Sequence, residues 1–326
     1  IPDFRHLAEN VFSDPNYMRI DGRPVVVMYL SRVYFDDAAG ATALADLRTA
    51  MQQEFGYDPY IIGDHVFGLN VPGGVANLDA ITAFDVYGQV FGNGISDQRS
   101  VDDLERIFAH AEAVANNRGV DFVPSVSPGF NDKGVRDGHA PAPRYLTALG
   151  PTAPGSVMAA LLEDAALPHT DVDINELIMV NSFNEWHEDT QIEPTVISAL
   201  TDTDDSSSGA ELTVGRFYEG YGNRYLDILR HATGVHADFD GDGDVDGDDF
   251  LAWQSGFGTL SDAQKSDGDY DIDGDVDGDD FLGWQGEFGS GSGVASAIVP
   301  EPASMALVIV FAASGMLSRQ LPRRLS

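Results

Sequence analysis

The 326-residue sequence contains no cysteine, which excludes disulfide staples and thiolate metal sites. Export is not excluded by this, because an exported chain can fold without disulfides. Basic residues are scarce, 18 Lys and Arg against 53 Asp and Glu, for a net charge of −35. A surface of that sign repels phosphates, so nucleic acid is excluded as a partner. Long apolar runs are nearly absent. The longest is MALVIVFAASGML at 305–317, thirteen residues, against about 20 for a spanning helix. The chain opens at Ile1 with no charged n-region or apolar h-region. It is read as a fragment, with any N-terminal signal missing from view.

What is present suffices for a core: 43% of residues are hydrophobic and 10% aromatic. Composition divides the chain into four parts. Residues 1–231 are mixed and globular, 236–289 are Asp/Gly-rich and repetitive, 290–298 form a Gly/Ser linker, and 299–326 form a tail. The negative charge concentrates in the repeats, where residues 237–289 carry −16 with Lys265 as the one cation.

In the first part, apolar strand-like runs alternate with helix-like ones. The strand candidates are PVVVMYL (24–30), PYIIGD (59–64), AFDVYG (83–88), VDFVPSV (120–126) and LIMVNSF (177–183). The best helix is 101–118, with Val101, Leu104, Ile107, Phe108, Ala111, Val114 and Ala115 at helical spacing. Ser100 with Asp103 suggests its cap and Gly119 its stop. Residues 40–55 and 155–167 are weaker helices. This βαβα alternation predicts a parallel sheet covered by helices. Five strands fall short of the eight of a closed barrel, which leaves an open α/β sheet or the later part of a barrel.

The last strand candidate runs into NEWHEDTQIEP (184–194). Strand residues alternate in direction, so Glu185 and Glu188 share a pocket only where the chain has turned at the strand's end. In parallel α/β proteins that end is where sites are built. Two carboxylates flanking a sugar bond are the equipment of a glycosidase, with Trp186 as a stacking surface and His187 as a polar wall. The alternative is a solvated loop whose Trp plugs the rim. Zinc is the poorer reading, because His187-Glu188 lacks a second His at helical spacing.

SFNEWHEDTQIEP resembles the SFNEWHEGTQIE signature of glycoside hydrolase family 99, the endo-α-1,2-mannosidases and mannanases. FVPSVSPGFNDKGVR (122–136), FDVYGQVFG (84–92), DGRPVVVMY (21–29) and YGNRYLDILR (221–230) resemble further segments of that family, in the same order. The resemblance implies a (β/α)8 barrel lacking its first strands, with about five parallel strands present. It also implies a retaining route with no cofactor. Glu185 would be the base on the sugar's own 2-hydroxyl, and Glu188 the acid/base at the leaving group. Glu188 would then need a raised pKa, expected from the neighbouring carboxylate and partial burial. Asn184, Trp186, His187 and Tyr87 would contact substrate, although Tyr87 reads equally well as a rim tyrosine with a satisfied hydroxyl. Departures are Asp189 for the family's Gly, Ser127 and Phe130 for its Gly and Tyr, and Leu30 for a strand-end Asp. They leave the exact mannoside specificity open.

Residues 238–249 read DFDGDGDVDGDD and residues 269–280 read DYDIDGDVDGDD, 31 positions apart. Oxygen ligands at positions 1, 3, 5, 7 and 12 with Gly at 6 make a calcium loop. The first set is Asp238, Asp240, Asp242, the Asp244 carbonyl and Asp249. The second is Asp269, Asp271, Asp273, the Asp275 carbonyl and Asp280. The alternative is a disordered acidic linker, opposed by the exact register and by phased Phe250/Trp253 and Phe281/Trp284. Two loops with one short helix each resemble the type I dockerin, which implies a small calcium-binding helical module. A cohesin-like domain would be its partner, and a plain calcium-folded tether is the alternative. VPEPAS before the apolar run and RQLPRR after it resemble a PEP-CTERM sorting signal. It implies a C-terminal apolar helix, sorting machinery at the membrane, and placement at the cell envelope or outside the cell. A plain tail anchor implies the same side of the membrane.

The sequence thus predicts an exported glycoside hydrolase on α-mannoside-type glycan. A non-catalytic surface carbohydrate-binding or scaffold protein is the rival.

Overall fold

The computed structural model describes residues 2–35, 37–73, 75–92, 94–136, 138–203, 217–233 and 236–290. The expected sorting tail and apolar helix fall outside the described residues, as does the linker from 291 on. In chain order the elements are α1 (Pro2–Asn10), β1 (Arg19–Ile20), β2 (Arg23–Met28), α2 (Ser31–Tyr34), α3 (Ala38–Phe55), β3 (Tyr60–Asp64) and β4 (Ala80–Thr82). Then come α4 (Gln98–Arg118), β5 (Asp121–Val123), β6 (Ser125–Val126), α5 (Ser156–Ala160), β7 (Met179–Val180), α6 (Arg224–Thr233), α7 (Gly247–Gly256) and α8 (Gly278–Glu287).

Strands β2 to β5 pair in parallel and in order, and β1 adds to β2 antiparallel. β6 pairs with β7, also in parallel. The candidate at 120–126 is one run broken at Pro124. Proline has no N–H for the ladder, so Val123 stays with β4 while Ser125 turns to β7. The Pro124 carbonyl accepts from Met179 N–H at 2.9 Å. The outcome is a curled, mostly parallel sheet with helices, the arrangement of a partial (β/α) barrel.

Period-2 alternation fills two cores. Ile61, Ile81 and Phe122 face the main core under α3 and α4. Their neighbours Tyr60, Ile62, Ala80 and Val123 face a smaller one with Val25 and Ile174. Both faces are therefore covered, which is why these strands read as continuous apolar runs.

Two expectations need correction. The third strand is Ala80–Thr82, not 83–88, and Tyr87–Phe91 forms a π-helical turn instead. The misread segment buries Ala83, Val86 and Phe91, a helical spacing that a short apolar run does not separate from a strand. Helix α4 starts at Gln98 and its cap is Asp97, whose carboxylate accepts from Ser100 N–H. Ser100 is thus the third helical residue rather than the cap. Gly119 does stop the helix, at φ 69°.

Residues 237–290 fold around two equivalent halves. Trp253 Nε1 donates to the Asp277 carbonyl and Trp284 Nε1 to the Asp246 carbonyl, at 2.8 and 3.0 Å. Each loop valine meets the segment after the other loop's helix: Gly258 N–H bonds Val276 O, and Gly289 N–H bonds Val245 O. Among the described residues no helix is long and apolar enough to cross a membrane.

Asp79, just before β4, gathers Arg23 from β2 at 2.8 Å, Arg48 from α3 at 2.7 Å and the Ile61 N–H of β3 at 2.8 Å. Burial opposes its charge, but hydrogen bonds from Arg48, Arg23 and Ile61 outweigh that and hold the carboxyl below its ordinary 3.8. A carboxyl depressed by folding stabilises fully above its unfolded value, and the contribution disappears as pH falls through the folded value. Asp79→Asn should therefore cost roughly 3 kcal/mol at pH 7, measured by urea unfolding. The gap to wild type should close between pH 5 and 2. A gap that stays constant over that range contradicts the role.

Candidate active site and candidate metal loops

The parallel strands bring their C-terminal ends to one edge. β2 delivers Tyr29, β3 ends at Asp64, the chain after β4 carries Phe84 and Asp85, and β7 runs into the 184–194 segment. Tyr29 packs edge-on to Phe84, ring centroids 5.3 Å apart. Burial pushes its hydroxyl pKa up, and so do the charges of Asp64 and Asp85; Arg32 opposes them and Glu188 adds to them. Carboxylates from two strand ends and the glutamate loop thus act on one hydroxyl. Asp64 is fully buried, takes the Leu30 N–H at 3.0 Å and pairs with Arg32. Burial pushes its carboxyl up, with Arg32 opposing.

The glutamate loop is pinned at its base. Ser182 N–H donates to Thr190 O at 2.9 Å, and Ser182 Oγ accepts Glu185 N–H at 2.9 Å. Glu185 Oε1 turns back to accept His187 N–H at 3.1 Å and leaves its carboxylate half exposed. Glu188 is more covered. Arg136 Nη1 reaches its Oε1 at 3.0 Å and the buried Asp132 Oδ2 at 2.7 Å. Asn131 N–H donates to the Glu188 carbonyl at 2.7 Å. A cation, Arg136, thus stands beside Glu188 and is shared with the carboxylate of Asp132.

Asp189 explains the departure from glycine. Its φ is 51°, the left-handed region where glycine costs nothing and aspartate little. Its carboxylate is turned to Arg144, 3.0 Å away, rather than to Glu188. Arg144 also donates to the Asp189 and Gln191 carbonyls, both at 3.0 Å. Burial works against its charge and Asp189 outweighs that.

Of the other expected contacts, Trp186 is half exposed and borders a groove of about 350 Å³ with Asn131, Val135, His187 and Tyr218. His187 and Asn184 are exposed beside it. Neither glutamate lines this groove. Tyr87 is committed elsewhere. Its ring stacks on Phe130 at 3.8 Å and its hydroxyl donates to the Ala140 carbonyl, which fits the rim-tyrosine alternative. Sequence reasoning did not single out Tyr29, Asp64, Asp85, Arg136 or Arg144. Only Asp64 left a signal, an acidic residue closing an apolar strand.

The two Asp-rich loops are each held by hydrogen bonds from their own backbone to their carboxylates. In each, the first Asp accepts the N–H of the sixth residue: Asp238 Oδ2 from Gly243 at 3.1 Å, Asp269 Oδ2 from Gly274 at 3.0 Å. Carboxylate oxygens converge within 4.8 Å in three groups: Asp238, Asp240 and Asp249; Asp269, Asp271 and Asp273; Asp275, Asp277 and Asp280. Asp242 stands outside the first group, with Oδ1 accepting Asp244 N–H at 3.1 Å. Asp269 is 1% exposed, and its Oδ1 has no hydrogen-bond partner. Burial and then Asp280 push that carboxyl up to about 7, and burial with Asp273 pushes Asp271 up to about 6. Buried like charges with an orphaned oxygen fit a hard, oxygen-seeking divalent cation. Asp246 and Asp277 cap α7 and α8.

No protein-family model matches the chain, and no curated protein matches it. Solved structures do. A glycoside hydrolase-like protein aligns at 17% identity and TM-score 0.49 over 72% of this chain and 60% of its own. A GH99 endo-alpha-mannosidase from Bacteroides thetaiotaomicron aligns at 18% and 0.42 over 71% of this chain and 62% of its own. The same enzyme with BIS-TRIS-propane aligns at 20% and 0.44 over 71% and 65%. The chain thus spans 60–65% of the length of these neighbours.

Arg144 is the test of the loop's anchoring. Arg144→Met leaves the partly buried Asp189 carboxylate with only the Gln191 amide, 3.1 Å away, and should cost roughly 3 kcal/mol. Adding Asp189→Gly should restore part of that loss, read as a coupling energy in a urea-unfolding double-mutant cycle. Additive costs contradict the pairing.

Proposed function

We propose that residues 1–231 carry the catalytic edge of an exported, retaining glycoside hydrolase acting on α-mannoside-type glycan. The observation that carries this reading is the glutamate pair at the strand-end edge, where Tyr29, Asp64 and Asp85 converge and Trp186 stands open for stacking. Glu185, half exposed, takes the proton of the sugar's 2-hydroxyl. The freed oxygen attacks the anomeric carbon, the glycosidic bond breaks, and Glu188 protonates the leaving oxygen. Glu188 then takes a proton from water, the water oxygen opens the 1,2-anhydro ring at the anomeric carbon, and Glu185 returns its proton to the 2-oxygen. Asn184, Trp186 and His187 contact the sugar. A carbohydrate-binding protein without catalysis is the second reading, favoured by the Arg136 pair that occupies Glu188.

In the same reading, residues 236–289 are a dockerin-like module with two calcium loops, and a cohesin-like domain is its partner. Asp238, Asp240, Asp249 and Asp269, Asp271, Asp273 hold the ions; Asp242, Asp280 and the Asp244 and Asp275 carbonyls complete the sets. Two ions would set about +4 against the module's −16. The C-terminal tail sorts the protein to the cell envelope.

Two measurements test this. In the protein as its gene encodes it, Glu188→Gln should still cleave a mannoside with a good leaving group, whereas Glu185→Gln should not. Each loses roughly 10²–10⁴-fold on an ordinary substrate. Full activity in both variants, or normal cleavage of a 2-deoxy substrate, contradicts the glutamate roles. Calorimetric titration should count two calcium ions per chain, with a gain in helix by circular dichroism. No heat and an unchanged spectrum at millimolar calcium contradict the loops.

A further inference from the structure

The two Asp-rich loops are copies of one twelve-residue pattern, and they differ at two positions only. Phe239 and Gly241 in the first are Tyr270 and Ile272 in the second. The Gly/Ile exchange is the unexpected one. Both residues sit in left-handed backbone, Gly241 at φ 79° and Ile272 at φ 61°. Glycine adopts this region freely, while a β-branched side chain there is a genuine outlier. Some contact has to compensate for isoleucine.

That contact is with the 1–231 unit. Ile272 packs against the main hydrophobic core, away from the small core of its own module. With Ile228, His231 and Ala232 of α6 it borders a cavity of about 270 Å³, to which Asp271 and Asp273 also belong. The other changed residue faces the same helix. The Tyr270 ring meets His231 edge-on at 5.7 Å, and its hydroxyl lies 3.3 Å from Glu287. In the first loop Gly241 is exposed, and a Cβ built on it meets nothing within 4 Å. The repeat is broken only where it touches α6. Just before that helix, Asn223 N–H donates to Gln264 Oε1 at 3.0 Å, so the junction is fastened at a second point.

We propose that the second loop is a docking surface for the 1–231 unit, seated on α6 by Ile272 and Tyr270. An ion held by Asp269, Asp271 and Asp273 on either side of Ile272 then stiffens α6 as well as its own loop. The metal half of this rests on the calcium reading of the loops; the docking half rests on packing alone. The coupling follows from linkage, because an ion that binds only the folded loop also stabilises what the loop must be docked against.

Hydrogen–deuterium exchange of the whole chain, with calcium and with a chelator, tests this on peptides covering 224–233. Titration calorimetry of the same samples counts ions. Wild type should bind two calcium ions, and exchange at 224–233 should slow on binding by about tenfold or more. Ile272→Gly copies the first loop and relieves the backbone, so it should still bind two ions while losing most of that slowing. Gly241→Ile should weaken the ion at the first loop and leave 224–233 as in wild type. Two ions bound by wild type without slowing at 224–233 overturns the proposal, as does equal slowing in Ile272→Gly. If no ion binds, the calcium reading fails, and docking is decided in chelator. Faster exchange at 224–233 in Ile272→Gly than in wild type upholds docking, and equal rates overturn it.

Discussion

A single buried guanidinium holds the candidate site to the rest of the fold. Arg144 binds two carbonyls and one carboxylate of the loop after Glu188, and it lies 5.2 and 4.9 Å from the rings of Tyr221 and Tyr225. A cation desolvated this fully is costly unless every donor is matched, and here anion, carbonyls and aromatic faces share the task. Gly129 is required by the same packing, because a Cβ there would fall 2.8 Å from Arg144 Cγ. Tyr225 belongs to α6, which one turn on carries Ile228 to the cavity that Ile272 of the second Asp-rich loop also borders. The glutamate loop, α6 and the Asp-rich module are thus linked in series through packed groups.

Much of the fold was legible because burial on both sheet faces leaves an unambiguous mark. The runs at Val25–Met28, Tyr60–Ile62 and Phe122–Val123 are apolar without interruption, and each lies in a strand. The mark fails where periods coincide. Ala83, Val86 and Phe91 satisfy a helical repeat as well as Ala80 and Ile81 satisfy an extended one, and only pairing with β3 and β5 separates the two. Asp97 is hard to tell from Ser100 as the cap, because Ser100 with Asp103 satisfies the same local pattern three residues later. Pro124 was visible, but its consequence, a strand that changes partner midway, is a property of the sheet.

The candidate site divides in the same way. Glu185, Trp186 and Glu188 stand together in one segment and could be read from it. Arg136 stands about fifty residues upstream and announces nothing of its pairing with Glu188; Arg144 and Asp189 are linked no more visibly. Tyr29, Asp64 and Asp85 meet only because parallel strands align their ends. The two Asp-rich repeats stand out in the sequence because their spacing is local, but Asp242 falls outside the first carboxylate group and Asp277 enters a third, which spacing alone does not show. What Ile272 does there depends on a helix some forty positions earlier.

The central claim is that the edge carrying Glu185 and Glu188 meets a glycan. The chain has three tryptophans, so three indole N–H signals report on it by proton–nitrogen NMR. Trp253 and Trp284 are fastened within the module, each to a carbonyl of the opposite loop, while Trp186 stands half exposed beside the glutamates. Titration with an α-1,2-linked manno-oligosaccharide should shift the Trp186 indole and leave the other two in place. No movement of Trp186 at millimolar sugar, or movement confined to Trp253 and Trp284, contradicts the account.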